Sequence, residues 1–97
     1  MIRQVILDMM PMRPGESRLL QVFADTSLNV EIRCHTDVPA PPGYKPCPAW
    51  GSLIAQSGQA IPVIADAKVF QEEPGFMHIE VEDLTGDRRH LVVPVRL

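Results

Sequence analysis

One histidine and two glutamates have the residue types and the spacing that catalysis or metal binding could use. They occupy every second position, at His78, Glu80 and Glu82. On a β-strand this spacing puts all three side chains on one face. A carboxylate there could orient the imidazole as a general base or join it at a divalent cation. The apolar residues between them also demand a solvated polar face on the opposite side of the strand. Because no nucleophile or third ligand accompanies them, we expect that polar face rather than an active site.

The remaining histidines and cysteines form no known catalytic pattern. Cys34 and His35 are adjacent and point to opposite faces of a strand, so they cannot act as a nucleophile–base pair. His90 follows a turn after the glutamate strand, where we expect it to pair with a glutamate across the ladder. Cys34 and Cys47 could span a loop as a disulfide, but we expect free, buried thiols. The sequence therefore predicts no enzyme, no metal site and no cofactor.

Composition limits the class of protein further. The 97 residues allow one domain with a single two-layer core, and a hydrophobic content of 45% favours a packed globule. The net charge of −3 disfavours a nucleic-acid partner. No apolar run reaches the roughly 20 residues that span a bilayer, and the first run stops at Asp8, too early for a signal peptide. We expect a protein made and used without export or membrane insertion.

Ten prolines exclude a helical bundle, and alternating residues indicate strands instead. Three runs alternate apolar and polar residues strictly. Four further apolar runs lie between turn signals elsewhere in the chain. The segment at 18–24 is apolar on both faces, which predicts a central strand. We therefore predict one all-β domain, a small antiparallel β-sandwich of about seven strands, with strands at residues 4–8, 18–24, 28–35, 60–65, 77–82 and 91–97. Residues 52–55 are a short apolar stretch, and a short helical turn is the competing interpretation at residues 51–60.

Half of the prolines crowd into a predicted extended loop at residues 36–50. The loop contains the only tyrosine and the only tryptophan, residue types that protein interfaces favour. It could be a stiff contact arm, or it could fold over one end of the sandwich with its tryptophan in the core. Alternatively, the two aromatic rings could stack on a carbohydrate. The candidate contact residues here are Pro41, Pro42, Tyr44 and Trp50.

The N-terminal segment at residues 1–14 is apolar on both faces, so it needs cover on both sides. It could be a strand of the core, or an arm that adds to a neighbouring subunit. As an arm it would make the protein a homo-oligomer. The candidate interface residues in this segment are Val5, Ile6, Leu7, Met9, Met10 and Met12.

The C-terminal third, with EPGFMHIEVED at residues 73–83, Gly86 and VVPV at 92–95, resembles small immunoglobulin-like domains of tailed-bacteriophage structural proteins. Gly15-Glu16-Ser17 before an alternating strand is similar to the start of those domains. The resemblance implies an immunoglobulin-like sandwich in a virion protein, associated with the tail or baseplate or decorating the capsid. Such a protein is made in the host cytoplasm and binds other virion proteins. Carbohydrate binding by Tyr44 and Trp50 is the alternative, and an enzyme on the His78 face comes third.

Overall fold

A computed structural model describes residues 1–36 and 52–97 of the chain. The prediction of an all-β domain with seven strands is confirmed for these residues, which contain no helix. The predicted proline-rich loop lies almost wholly outside them. The strands are β1 (Ile2–Ile6), β2 (Ser17–Ala24), β3 (Leu28–Thr36), β4 (Ser52–Ala55), β5 (Ile61–Ile64), β6 (Gly75–Asp83) and β7 (Arg88–Val95).

The strands form two antiparallel sheets with a common core, as in a small β-sandwich. One sheet has three strands in the order β1-β2-β5, and the other has four in the order β4-β3-β6-β7. β2 is the central strand of its sheet, as the apolar run at 18–24 predicts. The two longest strands, β3 and β6, pair over nine residues from Leu28–Asp83 to Thr36–Gly75. This long register fixes which side chains of the larger sheet are neighbours.

Alternation along the strands builds the core from one face of each sheet. In β6 every second residue from Gly75 to Asp83 is buried, and β3 follows the same rule from Leu28 to Cys34. Leu20 and Val22 of β2 supply buried side chains from the smaller sheet. The final strand ends at Val95, so the predicted alternation does not extend to residue 97. Among the described residues, those that are apolar and buried outside the strands are Met12, Ala65 and Phe70.

The N-terminal segment connects the two sheets, and this corrects part of the sequence prediction. β1 begins at Ile2 rather than at residue 4, because Ile2 pairs with Ala24 at the end of β2. After β1 the chain crosses to the larger sheet, where Met12 forms a parallel bridge with Val95. Met12 N donates to Pro94 O at 2.9 Å, and Arg96 N donates to Met12 O at 2.8 Å. Met12 is 0% exposed, so of the two alternatives for this segment the core is the one found at Met12, which is not an exposed contact residue.

The turn between β6 and β7 is organised by a buried carboxylate, that of Asp83. Its Oδ1 accepts from Thr85 N at 2.9 Å, Thr85 Oγ1 at 2.6 Å and Asp87 N at 3.0 Å. Gly86 completes the predicted hairpin at a φ of 90°, which only glycine adopts easily. The Met1 amine lies 2.5 Å from Asp83 Oδ2, and Ile2 N donates to Asp87 Oδ2 at 2.8 Å. The turn therefore binds the start of β1, which belongs to the other sheet.

These contacts hold the pKa of Asp83 far below its usual range. The Met1 ammonium group has the largest effect, and the Thr85 hydroxyl follows. A carboxyl whose pKa is depressed in the folded state stabilises the protein above the ordinary value of roughly 3.9. That stability is lost as the pH falls below this value toward the lower folded pKa.

We predict that Asp83→Asn lowers the midpoint of urea unfolding at pH 7 and flattens the loss of stability below about pH 4. Asparagine has nearly the same shape, so the variant removes the charge and leaves the packing. Chemical denaturation between pH 2 and 7, at roughly one-unit intervals, measures both effects. Glu73→Gln, at an exposed carboxylate, is the matched control. An Asp83→Asn protein as stable as this control at pH 7 would contradict the role given to Asp83.

We predict that Met12→Ala costs about 2–5 kcal/mol of unfolding free energy, because it leaves a cavity in the core. Met10→Ala removes the same atoms from a side chain that is 66% exposed and should change stability by less than about 0.5 kcal/mol. Urea denaturation of the two variants side by side measures the difference. Equal values for both would place Met12 outside the core.

Candidate functional site

The outer face of the three-stranded sheet is apolar and uncharged along β2 and β5. Its apolar members are defined here as the apolar face: Ile6, Leu19, Phe23, Pro62 and Ile64. Leu19 is 62% exposed, Ile64 47% and Ile6 44%. Uncharged polar residues pair with three of them across the sheet, Gln4 with Phe23, Gln21 with Ile6 and Ser17 with Ile64.

Strand register brings Leu19, Pro62 and Ile64 together, whereas Phe23 lies further along β2, beyond Gln21. Leu19 of β2 lies directly opposite Pro62 of β5, and both point away from the core. Phe23 lies on the same face of β2 and covers the β4–β5 turn. A Cβ atom added at Gly58, in that turn, would lie only 3.1 Å from the Phe23 ring. Large contiguous apolar patches are candidate surfaces for binding other molecules, whereas single exposed apolar residues are common. The face offers such a surface without charged side chains that would have to be desolvated.

Arg18 fixes the segment that crosses between the sheets and carries two exposed methionines. Its guanidinium donates to the carbonyl oxygens of Asp8 at 2.8 Å and Pro11 at 3.0 Å, and also to that of Met10. Its Nε donates to Glu16 Oε2 at 2.9 Å. Met9 and Met10 therefore project from a segment whose backbone is bound by several hydrogen bonds.

The structure divides the candidate interface residues of the N-terminal segment. Ile6, Met9 and Met10 are exposed, whereas Val5 and Leu7 are half-buried and pack against the core. Val5 and Ile6 lie in a strand of the sandwich itself. The other candidates lie outside the described residues, namely Pro41, Pro42, Tyr44 and Trp50. The carbohydrate-binding alternative depends on Tyr44 and Trp50 and stays a prediction.

Sequence reasoning missed four of the five members of the apolar face. Leu19 and Phe23 belong to the run at 18–24, whose two apolar faces predict burial on both sides. The strand is indeed central, but only its inner face is covered. Alternation in this run separates Leu20 and Val22 from Leu19 and Phe23 and so could have identified an exposed apolar row. Nothing in the sequence places Pro62 and Ile64 beside that row, because this requires the β2–β5 register.

The opposite face of the sandwich carries a row of three histidines, defined here as the histidine ladder: His35, His78 and His90. His35 Nε2 lies 2.6 Å from His78 Nε2, and His78 Nδ1 lies 3.0 Å from His90 Nε2. The ring planes of the two pairs are inclined by only 23° and 19°. Partial burial lowers the pKa of His78, and the two neighbouring histidines lower it further.

The ladder changes the interpretation of the predicted catalytic face. His78, Glu80 and Glu82 do share one face, but both glutamates pair with Arg88, at 3.4 and 2.6 Å, instead of orienting the imidazole. His90 does lie opposite a glutamate, Glu80, across the β6–β7 ladder, but its ring contacts His78 while Glu80 binds Arg88. His35 went unrecognised as a partner. The alternation of each strand could have identified it, because all three histidines occupy outward positions of their strands.

Two further sites predicted or excluded from the sequence can be located. Cys34 is a free, buried cysteine, and burial raises the pKa of its thiol. Cys47 lies outside the described residues. Within residues 1–36 and 52–97, no group of three or more histidine, cysteine or acidic side chains is arranged to hold a metal ion. The same residues include no helix long and apolar enough to cross a membrane.

Comparisons with known proteins add no relative. The chain matches no protein-family model, and searches of curated proteins and of solved structures find no match. The surfaces of the molecule therefore carry the functional inference.

Proposed function

We propose that the protein is a non-enzymatic structural protein of a tailed-bacteriophage virion, which works through protein–protein contacts at its apolar face. It would be attached to the tail or baseplate, or decorate the capsid. The observation that carries the proposal is the uncharged outer surface of β2 and β5, with Leu19 and Ile64 about half exposed or more. The resemblance of residues 73–83 to phage immunoglobulin-like domains supplies the virion context.

The apolar face has the chemistry of a contact surface. Complete burial of an aliphatic or aromatic side chain stabilises a complex by roughly 1.5–3 kcal/mol before the entropy of association is counted. Burying Leu19, Pro62 and Ile64 gives an apolar cluster, and Gln21, which separates Leu19 from Phe23 along β2, can hydrogen-bond within the contact. Exposed methionines, here Met9 and Met10, are adaptable contact residues that can add to such a surface.

The order of the strands supports an immunoglobulin-like topology. Lettered in chain order as A, B, C, C′, E, F and G, the strands give sheets A-B-E and C′-C-F-G. This is how immunoglobulin-like sandwiches group their strands. The residues that carry the phage resemblance lie mostly in β6, a central strand of the larger sheet, and in the turn and strand that follow it, with Gly15-Glu16-Ser17 before β2.

Self-association is the simplest use of the apolar face. Two copies can meet on it without bringing like charges together, although the whole chain carries a net charge of −3. We therefore include a homo-oligomer in the proposal, with other virion proteins as further partners.

We predict that Leu19→Asp abolishes assembly and incorporation into phage particles. The carboxylate would have to be desolvated at the centre of the contact, while the free protein keeps its stability within about 0.5 kcal/mol because the site is exposed. Sedimentation of the purified protein and immunoblots of purified particles measure the two effects.

Ile54→Asp is the matched control, since Ile54 is 77% exposed and points outward from β4 on the other sheet. It should leave both measurements as in the wild type. A Leu19→Asp protein that enters particles at the wild-type level would overturn the proposed function. So would a wild-type protein that neither self-associates nor enters particles.

A further inference from the structure

All three histidines of the chain take part in the histidine ladder, on the face opposite the one proposed for assembly. Each contact joins one ring nitrogen to another across 2.6 or 3.0 Å, with the ring planes nearly parallel. A contact of this kind holds one proton, because one nitrogen must donate and the other must accept. Nitrogens paired in this way face each other and do not converge on a common point, as metal ligands would.

One backbone carbonyl fixes the protonation of the neutral ladder. Thr36 O lies 3.2 Å from His35 Nδ1, and a carbonyl oxygen only accepts, so this nitrogen carries the hydrogen. His35 Nε2 is then the acceptor from His78 Nε2. In turn, His78 Nδ1 accepts from His90 Nε2, which leaves a lone pair on His90 Nδ1.

Counting hydrogens gives the capacity of the ladder. Its six ring nitrogens carry three hydrogens when all rings are neutral. A fourth fits on His90 Nδ1, and both contacts then still contain one hydrogen each. A fifth would put two N–H groups face to face in one contact, which must separate. We propose that the histidine ladder is a proton-operated switch that takes one proton while closed and opens when it takes a second.

Among the described residues, the charged groups around the ladder are paired with one another, including Glu80, which lies directly opposite His90. On β3, Arg33 lies opposite His78 and is bound to Glu31 at 2.5 Å. On β6 and β7, Glu80 and Glu82 are bound to Arg88. The outward residues of β4, Ser52 and Ile54, are uncharged. Added protons therefore repel one another, in agreement with the lowered pKa of His78.

Opening the ladder links acid pH to a change in this face of the sandwich. At neutral pH the three rings form an uncharged, closed row across β3, β6 and β7. Below the ordinary histidine pKa of roughly 6.5, the unfolded chain binds more protons than the closed ladder, so stability falls as the pH falls. The rings then separate and the row becomes cationic. This switch is independent of the apolar face, so either proposal can fail without the other.

Imidazole resonances followed by NMR between pH 8 and 4 test the switch in the intact chain. We expect the wild type to titrate in steps separated by about one pH unit or more, a tenfold difference in proton affinity. In His78→Gln the two remaining histidines no longer contact another imidazole. The separate titration steps should then merge into one. Three wild-type rings that titrate together, with the midpoints found in His78→Gln, would overturn the proposal.

Unfolding measurements keep the test independent of the resonance assignments. From pH 7 to 5 the wild type should lose more stability than His78→Gln. The closed ladder of the wild type resists a second proton, whereas His78→Gln has no contact between imidazoles. His90→Gln keeps the His35–His78 contact and should lie between the two. Equal slopes for the three proteins would overturn the switch.

Discussion

One buried carboxylate holds the two sheets in register at one end of the sandwich. Asp83 closes the β6–β7 turn through Thr85 and Asp87 and balances its charge against the Met1 amine at 2.5 Å. Asp87 then binds the amide of Ile2. A buried charge is tolerated only when it is paired and hydrogen-bonded, so these partners are obligatory once Asp83 ends a strand with an inward side chain. The entry of β1 into the smaller sheet depends on the same set of contacts.

With that end fixed, alternation distributes the remaining side chains among three environments. Inward residues of both sheets make the core, outward residues of β2 and β5 make the apolar face, and outward residues of β3, β6 and β7 make the polar face with its histidines. A shift of one residue in the β3–β6 register would move His78 inward and Ile79 outward. The histidine ladder and the core are therefore consequences of a single register.

The sequence predicts the elements better than their partners. Strict alternation in β3 and β6 identifies both strands and their buried rows, and the apolar run of β2 identifies a central strand. Pairing across distant segments has no local signal, which is why the contact of His35 with His78, 43 residues apart, was not anticipated. For Met12 the sequence leaves core and interface both open, because a segment that is apolar on both faces can be covered by its own domain or by a neighbour. Only the bridge to Val95 distinguishes the two.

The edges of the sheets bear on the proposed contact through the apolar face. An exposed strand edge invites pairing with another chain, and proteins block this with short strands, prolines and irregularities. Here β4 and β5 have four residues each, β5 and β7 contain Pro62 and Pro94, and the pairing of β1 with β2 is irregular between Ile2 and Gln4. All four edge strands are thus poor templates for an added strand. Because the edges are protected while the outer face of β2 stays apolar, contact through side chains of that face is favoured over strand addition.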